Sequence, residues 1–189
     1  MTTRCGWPGD DPLMIRYHDE EWGVPVHDDR LLFEYLVLDA FQAGLSWRTI
    51  LHKRENFRAA FDGFDPERIA DYGETERERL LADAGIVRNR QKIDSTFSNA
   101  REFLRLQEEH GSFDEWIWRF TDGETIQNAR ESMGDIPATS PESDAMSAAL
   151  KAEGFKFVGS TICYAFMQAA GMVNDHVTSC FRHAELAGD

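Results

Sequence analysis

The chain has 189 residues, 42% hydrophobic and 12% aromatic, which is enough for a packed core and excludes a disordered composition. Three cysteines, Cys5, Cys163 and Cys180, exclude a disulfide scaffold and favour a reducing, cytoplasmic setting. A net charge of −14 argues against a generic nucleic-acid binder, yet basic residues gather at Arg48, Lys53, Arg54 and Arg58 and again at Arg88, Arg90 and Lys92, and a phosphate backbone responds to local patches.

The opening, M-T-T-R-C-G-W-P-G-D-D-P, is punctuated by glycine and proline and has no apolar run, so it reads as a loop without a signal peptide. Leu31, Leu32, Tyr35, Leu36 and Leu38 recur at helical spacing and set a first long helix over about 28–42. A second follows over about 46–61, then a short one after Asp65-Pro66 with proline at its first position. Thr75-x-x-Glu78 is a capping-box pattern ahead of Leu80 and Leu81, and Gly85 ends that helix. A long helix over about 91–109 carries Ile93, Phe97, Ala100 and Leu104 on one face. A shorter one covers Phe113 to Phe120. The polar stretch 121–140, with Gly123, Gly134 and Pro137, reads as an extended connector. Ser140-Pro141-Glu142 starts a helix that Gly154 stops. The most apolar stretch, Phe157 to Val173, is interrupted by Ser160, Thr161 and Gln168, so it reads as a buried helix and not a membrane span. Asn174 or Asp175 caps a final helix through about His183. No run alternates with period two, so one all-α domain over 1–189 is expected.

Within this frame, D-A-F-Q-A-G-L-S-W at 39–47 joins two helices through a break at Gly44, with Ser46 capping the helix that opens at Trp47. Such a break aims a carboxylate, Asp39, and an indole, Trp47, into one space; alternatively Leu45 and Trp47 are ordinary core and Asp39 is solvated. Trp7, Tyr17 and Trp22 lie in the first 22 residues, among turns. They are either core plugs or part of an aromatic cage for a flat or cationic ring, each cation–π contact contributing roughly 0.5–2 kcal/mol.

His176 and Cys180 are four apart on the expected last helix and share a face, half of a tetrahedral zinc site. Cys5 and His18 are the natural other half, giving a closed, structural set that ties the two ends of the chain together. His27 and His183 are rival ligands, and buried free thiols with surface histidines are the plain alternative. Cys163 reads as core. From Leu80, L-L-A-D-A-G-I-V-R-N-R-Q-K-I is a helix stop, a basic turn and a helix restart, which offers N–H groups to a phosphate. A solvated charged turn is the competing reading. The turn resembles the helix-hairpin-helix element of DNA repair proteins, with Asn89 where a second glycine would stand.

Taken together, C-G-W at 5–7, Y-H-D-E-E-W-G-V-P at 17–25, Q-A-G-L-S-W at 42–47, K-R-E-N-F at 53–57, G-F-K-F-V-G-S-T-I-C-Y at 154–164 and N-D-H at 174–176 closely resemble the DNA-3-methyladenine glycosylase I family. The resemblance implies a helix-hairpin-helix glycosylase fold and one structural zinc on Cys5, His18, His176 and Cys180. It also implies a base pocket of Trp7, Tyr17, Trp22 and Trp47, with Asp39 where the best-known members carry a glutamate that hydrogen-bonds the base. Aspartate is one methylene shorter, so either the backbone moves in or a water bridges.

The implied activity is monofunctional: a 3-methyladenine is flipped from double-stranded alkylated DNA and released hydrolytically by a monomeric enzyme, leaving an abasic site. Asp39 is the expected catalytic group. Gly44 and Leu45 are the expected wedge that fills the vacated stack, and Arg88, Arg90 and Lys92 the expected backbone contacts. The rival class is a zinc-stabilised helical module that binds DNA or a methylated base without cleaving it.

Overall fold

Ten consecutive residues, Leu32 to Phe41, are buried in α2 (Asp29–Gln42), so this helix is covered on every side instead of along one stripe. The computed structural model, which describes residues 3–188, is built around it. Helices α3 (Trp47–Ala60), α6 (Arg90–His110), α7 (Phe113–Trp118) and α9 (Ser160–Ala169) all pack on α2. Phe33, Phe41, Phe57, Phe61 and Phe103 are fully buried at these junctions. Truncating any one to alanine should cost about 3–5 kcal/mol. The remaining helices are α1 (Pro12–Glu20), α4 (Pro66–Ala70), α5 (Glu74–Ala82), α8 (Pro141–Ala152) and α10 (Phe181–Ala187). Among the described residues no helix is long and apolar enough to cross a membrane.

The all-α expectation holds, with one small addition. β1 (Ile126–Gln127) pairs in parallel with β2 (Val173–Asn174), Ile126 opposite Val173, and so ties the connector to the chain leaving α9. Two residues carry no readable period.

Four local expectations are corrected. The opening is not all loop: Asp11 accepts hydrogen bonds from the N–H groups of Leu13 and Met14, and Pro12 starts α1. The cap of α5 is Gly73, whose N–H donates to Glu76 Oε2 at 2.8 Å, so the Thr75–Glu78 pattern lies inside the helix. The last helix begins only at Phe181, and His176 to Cys180 form turns. The connector is not featureless, because it carries β1 and a single 3-10 turn at Met133–Asp135.

The core is in two parts. The larger part surrounds α2, and a smaller one gathers Cys5, Met14, Tyr17, Trp22, Leu51, Val177 and Cys180. Trp47 and Ile136 pack against both, so a seam runs between the parts. Arg54 bridges it: Nε donates to Glu34 Oε1 and Nη1 to Glu21 Oε2, each at 2.6 Å, linking the end of α1 to α2 and α3.

Candidate functional site

A cavity of about 530 Å³ opens in the seam, lined by Trp7, Tyr17, Trp22, Asp39 and Trp47. The five residues singled out in the sequence are thus brought together. Tyr17 reaches the cavity from α1, Asp39 from the last turn of α2, and Trp47 from the first position of α3. Ser46 caps α3 through its hydroxyl, 3.2 Å from the N–H of Thr49, and so fixes where the indole of Trp47 leaves the backbone. The rings stand at angles to one another, with Tyr17 and Trp47 centroids 5.0 Å apart and Trp7 and Trp22 centroids 5.2 Å apart. They form walls and do not fill the cavity.

Five buried side-chain polar atoms lack a partner among the described residues, and three of them, Trp7 Nε1, Asp39 Oδ2 and Trp47 Nε1, belong to cavity residues. Buried polar groups are normally hydrogen-bonded, so orphans concentrated in one cavity mark a place for a polar guest. Asp39 is only 2% exposed, and burial pushes its carboxyl well above the usual carboxylate range. Burial, reinforced by Tyr35 and Asp39, likewise raises the Tyr17 phenol.

Gln42, Arg48, Met133, Ile136 and Gln168 also line the cavity and were not anticipated. Gln168 was visible as a polar break in an apolar helix. Met133 and Ile136 come from the connector, where no periodicity marks them.

Behind the aromatic wall, Cys5, His18, His176 and Cys180 are all buried, and their ligand atoms lie within 4.8 Å of one another. Cys5 Sγ and Cys180 Sγ are 3.5 and 3.6 Å from His176 Nδ1, and Cys180 Sγ is 3.5 Å from His18 Nε2. The outward nitrogens are engaged as well: His18 Nδ1 meets Asp19 Oδ1 at 2.7 Å, and His176 Nε2 meets the carbonyl of Trp22 at 2.9 Å. Burial lowers both imidazole pKa values, that of His176 to about 4, which favours the neutral rings that a metal requires. The cluster can hold a metal ion. The rival ligands are elsewhere: His27 pairs with Asp114, and His183 meets the carbonyl of Asn128. Cys163 is core, its thiol pushed up to about 12 by burial.

Of the expected DNA contacts, Gly44 has φ +78°, and Leu45 beside it is 44% exposed, the more exposed of the two large hydrophobics that stand out into solvent among the described residues. Arg88 is exposed on the turn between α5 and α6, and Arg90 is exposed at the first position of α6, 3.4 Å from Glu74. Lys92 is placed differently: it is 6% exposed and its ammonium turns inward to backbone carbonyls. Asn89 has a local task in that turn, capping α6 by accepting from the N–H of Lys92.

The methyladenine glycosylase family model matches residues 7–183. DNA-3-methyladenine glycosylase 1 of Escherichia coli K12 is 50% identical over 177 residues, covering 94% of this chain and 95% of the relative. A crystal structure of 3-methyladenine DNA glycosylase I superposes with a TM-score of 0.93 at 54% identity, over 95% of this chain and 98% of the other. A single-substitution variant of 3-methyladenine DNA glycosylase I, solved in complex with 3-methyladenine, superposes with a TM-score of 0.91 at 32% identity, over 94% and 96%. With its cavity, its buried carboxylate and a match along nearly its whole length, the chain belongs to the methyladenine glycosylase family.

Proposed function

We propose that the protein is a monofunctional glycosylase that flips 3-methyladenine out of double-stranded alkylated DNA and hydrolyses its N-glycosidic bond. The observation that carries this reading is the set of three unpartnered buried polar atoms around one aromatic cavity, a carboxylate oxygen among them. An ionised carboxylate in that setting is costly without a cation. N3-methylation places positive charge on adenine, so the damaged ring supplies the counter-charge that lets Asp39 ionise. Neutral adenine does not, and it leaves the site in its protonated form.

Rings at the cavity wall add cation–π attraction of about 0.5–2 kcal/mol each. Cleavage of the bond from C1′ sends its electron pair into the base, which leaves neutral. Water adds to C1′ and loses a proton, giving the abasic sugar. A cationic leaving group needs little acid, so the chain contributes binding and electrostatic stabilisation. The two lysines nearest the DNA-facing turns, Lys53 and Lys92, are tied to backbone carbonyls, which argues against a Schiff base and so against lyase activity.

Leu45 is the wedge in this reading, carried on the Gly44 turn beside Asp39. The α5–α6 turn is a helix-hairpin-helix element that seats a phosphate with Arg88 and Arg90, and the enzyme works as a cytoplasmic monomer of one domain. The metal is a structural zinc: tetrahedral Zn–S and Zn–N bonds require S···N edges of about 3.5–3.6 Å, as found in the cluster. When bound, the ion holds the two ends of the chain together and takes no part in the chemistry.

The decisive experiment is product analysis on methylated duplex DNA. Release of 3-methyladenine without strand cleavage is expected. Tight binding with no release would make the chain a non-catalytic base-binding module instead.

A further inference from the structure

Lys92 is one of four lysines in the chain, and the pocket chemistry makes no use of it. It occupies the first turn of α6, the positive end of that helix, where a cation is disfavoured. Burial lowers its pKa, and no carboxylate opposes that shift. Its ammonium instead meets the negative end of another helix: Nζ donates to the carbonyl of Phe41 at 2.8 Å and to that of Ala43 at 2.6 Å, the last carbonyls around the end of α2. The backbone at Lys92 is held too. Its N–H donates to Asn89 Oδ1 at 3.1 Å, and its carbonyl accepts from the hydroxyls of Ser95 and Thr96 at 2.7 and 2.9 Å.

The two carbonyls it caps lie between Asp39 and the Gly44–Leu45 turn, that of Ala43 directly before Gly44. On the other flank, the K-R-E-N-F segment of α3 grips the same hairpin. Lys53 Nζ donates to the carbonyls of Ala84 and Gly85 at 3.3 Å, and Asn56 Nδ2 to that of Gly85 at 3.2 Å. The hairpin bearing Arg88 and Arg90 is therefore strapped to both helices that flank the Leu45 turn.

We propose that Lys92 is a positioning residue that couples the α5–α6 hairpin to the 43–46 turn, so that a phosphate seated on the hairpin sets Leu45 against the duplex. The idea rests on the glycosylase reading, and its test separates the two. Lys92→Met keeps the reach of the side chain and removes both of its hydrogen bonds to the α2 carbonyls, leaving the Lys53 and Asn56 contacts in place, while Lys92→Gln keeps a donor group and serves if the first variant melts early. Three readouts apply: tryptophan fluorescence with free 3-methyladenine, 2-aminopurine fluorescence beside an abasic analogue in a duplex, and single-turnover excision from duplex and single-stranded methylated DNA.

Free-base affinity is expected to stay within about twofold of the parent, while the 2-aminopurine signal is lost and duplex excision falls 10- to 100-fold, roughly the cost of ångström-scale misplacement. Single-stranded excision is expected to be spared. Adding Lys92→Met to Leu45→Ala is expected to cost nothing further, because both act through the wedge. Multiplicative losses, equal losses on both substrates, or an intact 2-aminopurine signal would overturn the proposal. A parent enzyme that brightens 2-aminopurine yet releases no base would sink the glycosylase reading and leave the coupling standing.

Discussion

On the proposed mechanism, Asp39 is the residue at which stability and recognition pull in opposite directions. Its folded pKa lies above the ordinary carboxylate value, so between the two the native state holds more protons than the unfolded chain. Stability therefore falls as pH rises through that window. Asp39→Asn removes the penalty, and the melting temperature at neutral pH is expected to rise, by about 2–4 °C for each kcal/mol recovered. Excision by the same variant is expected to fall about 100-fold, the usual effect of deleting one group aimed at the reacting charge. Calorimetry and single-turnover kinetics check the pair, and a variant that excises normally would remove Asp39 from the mechanism. At this scale the sequence was legible wherever residue type restricts chemistry. Cys5, His18, His176 and Cys180 have few alternative uses as a set. Lys92 was misread because nothing in a sequence says whether an ammonium faces solvent or the end of a neighbouring helix.

Among the elements, long helices with a strong period were readable, and α2, α3 and α6 lie within a residue or two of where the pattern puts them. α1 was overlooked although Asp11-Pro12 is the same start signal as Asp65-Pro66, because the surrounding glycines and prolines masked it. His176 and Cys180 do converge, but through turns: four residues of tight turn bring two side chains as close as four residues of helix. One contact between elements was not foreseeable at all. Gly171 has φ +70°, and a Cβ there would lie 2.3 Å from the carbonyl carbon of Val24. Gly171→Ala should therefore destabilise by about 3 kcal/mol or more. A lower urea midpoint at unchanged slope would register it, and a shift under half that size would show that the 24–26 segment yields easily. Metal removal acts on different elements: chelation is expected to lower the melting temperature and open the segments around α1 and α10 to protease first, whereas a chelator-treated protein with unchanged melting would count against a resident ion.

For the whole molecule, the net charge of −14 has to be reconciled with a polyanionic partner. If the exposed arginines at the α5–α6 turn carry the proposed backbone contact, it is local, and few phosphates should be engaged. Replacing Arg88 with alanine is expected to weaken duplex binding for every sequence alike and to reduce the slope of log K against log salt by about 1. Titrations at several salt concentrations measure this, and an unchanged slope would move the backbone contact elsewhere on the surface.

The Cys5–Cys180 pair also bears on chain statistics. An ion shared by those thiolates would turn a linear polymer into a ring of nearly its full contour length, lowering the entropy of the unfolded ensemble by an amount equivalent to about 5 kcal/mol, if a metal clip follows the disulfide rule. The arc nearest the clasp carries Trp7, Tyr17 and Trp22, which pack with Cys5 and Cys180 in the smaller cluster, while the phenylalanines of α2 belong to the larger one. Opening the ring would slacken the aromatic wall of the cavity before it melts the helices, so that the far-ultraviolet spectrum is expected to look native while the proposed base recognition is lost.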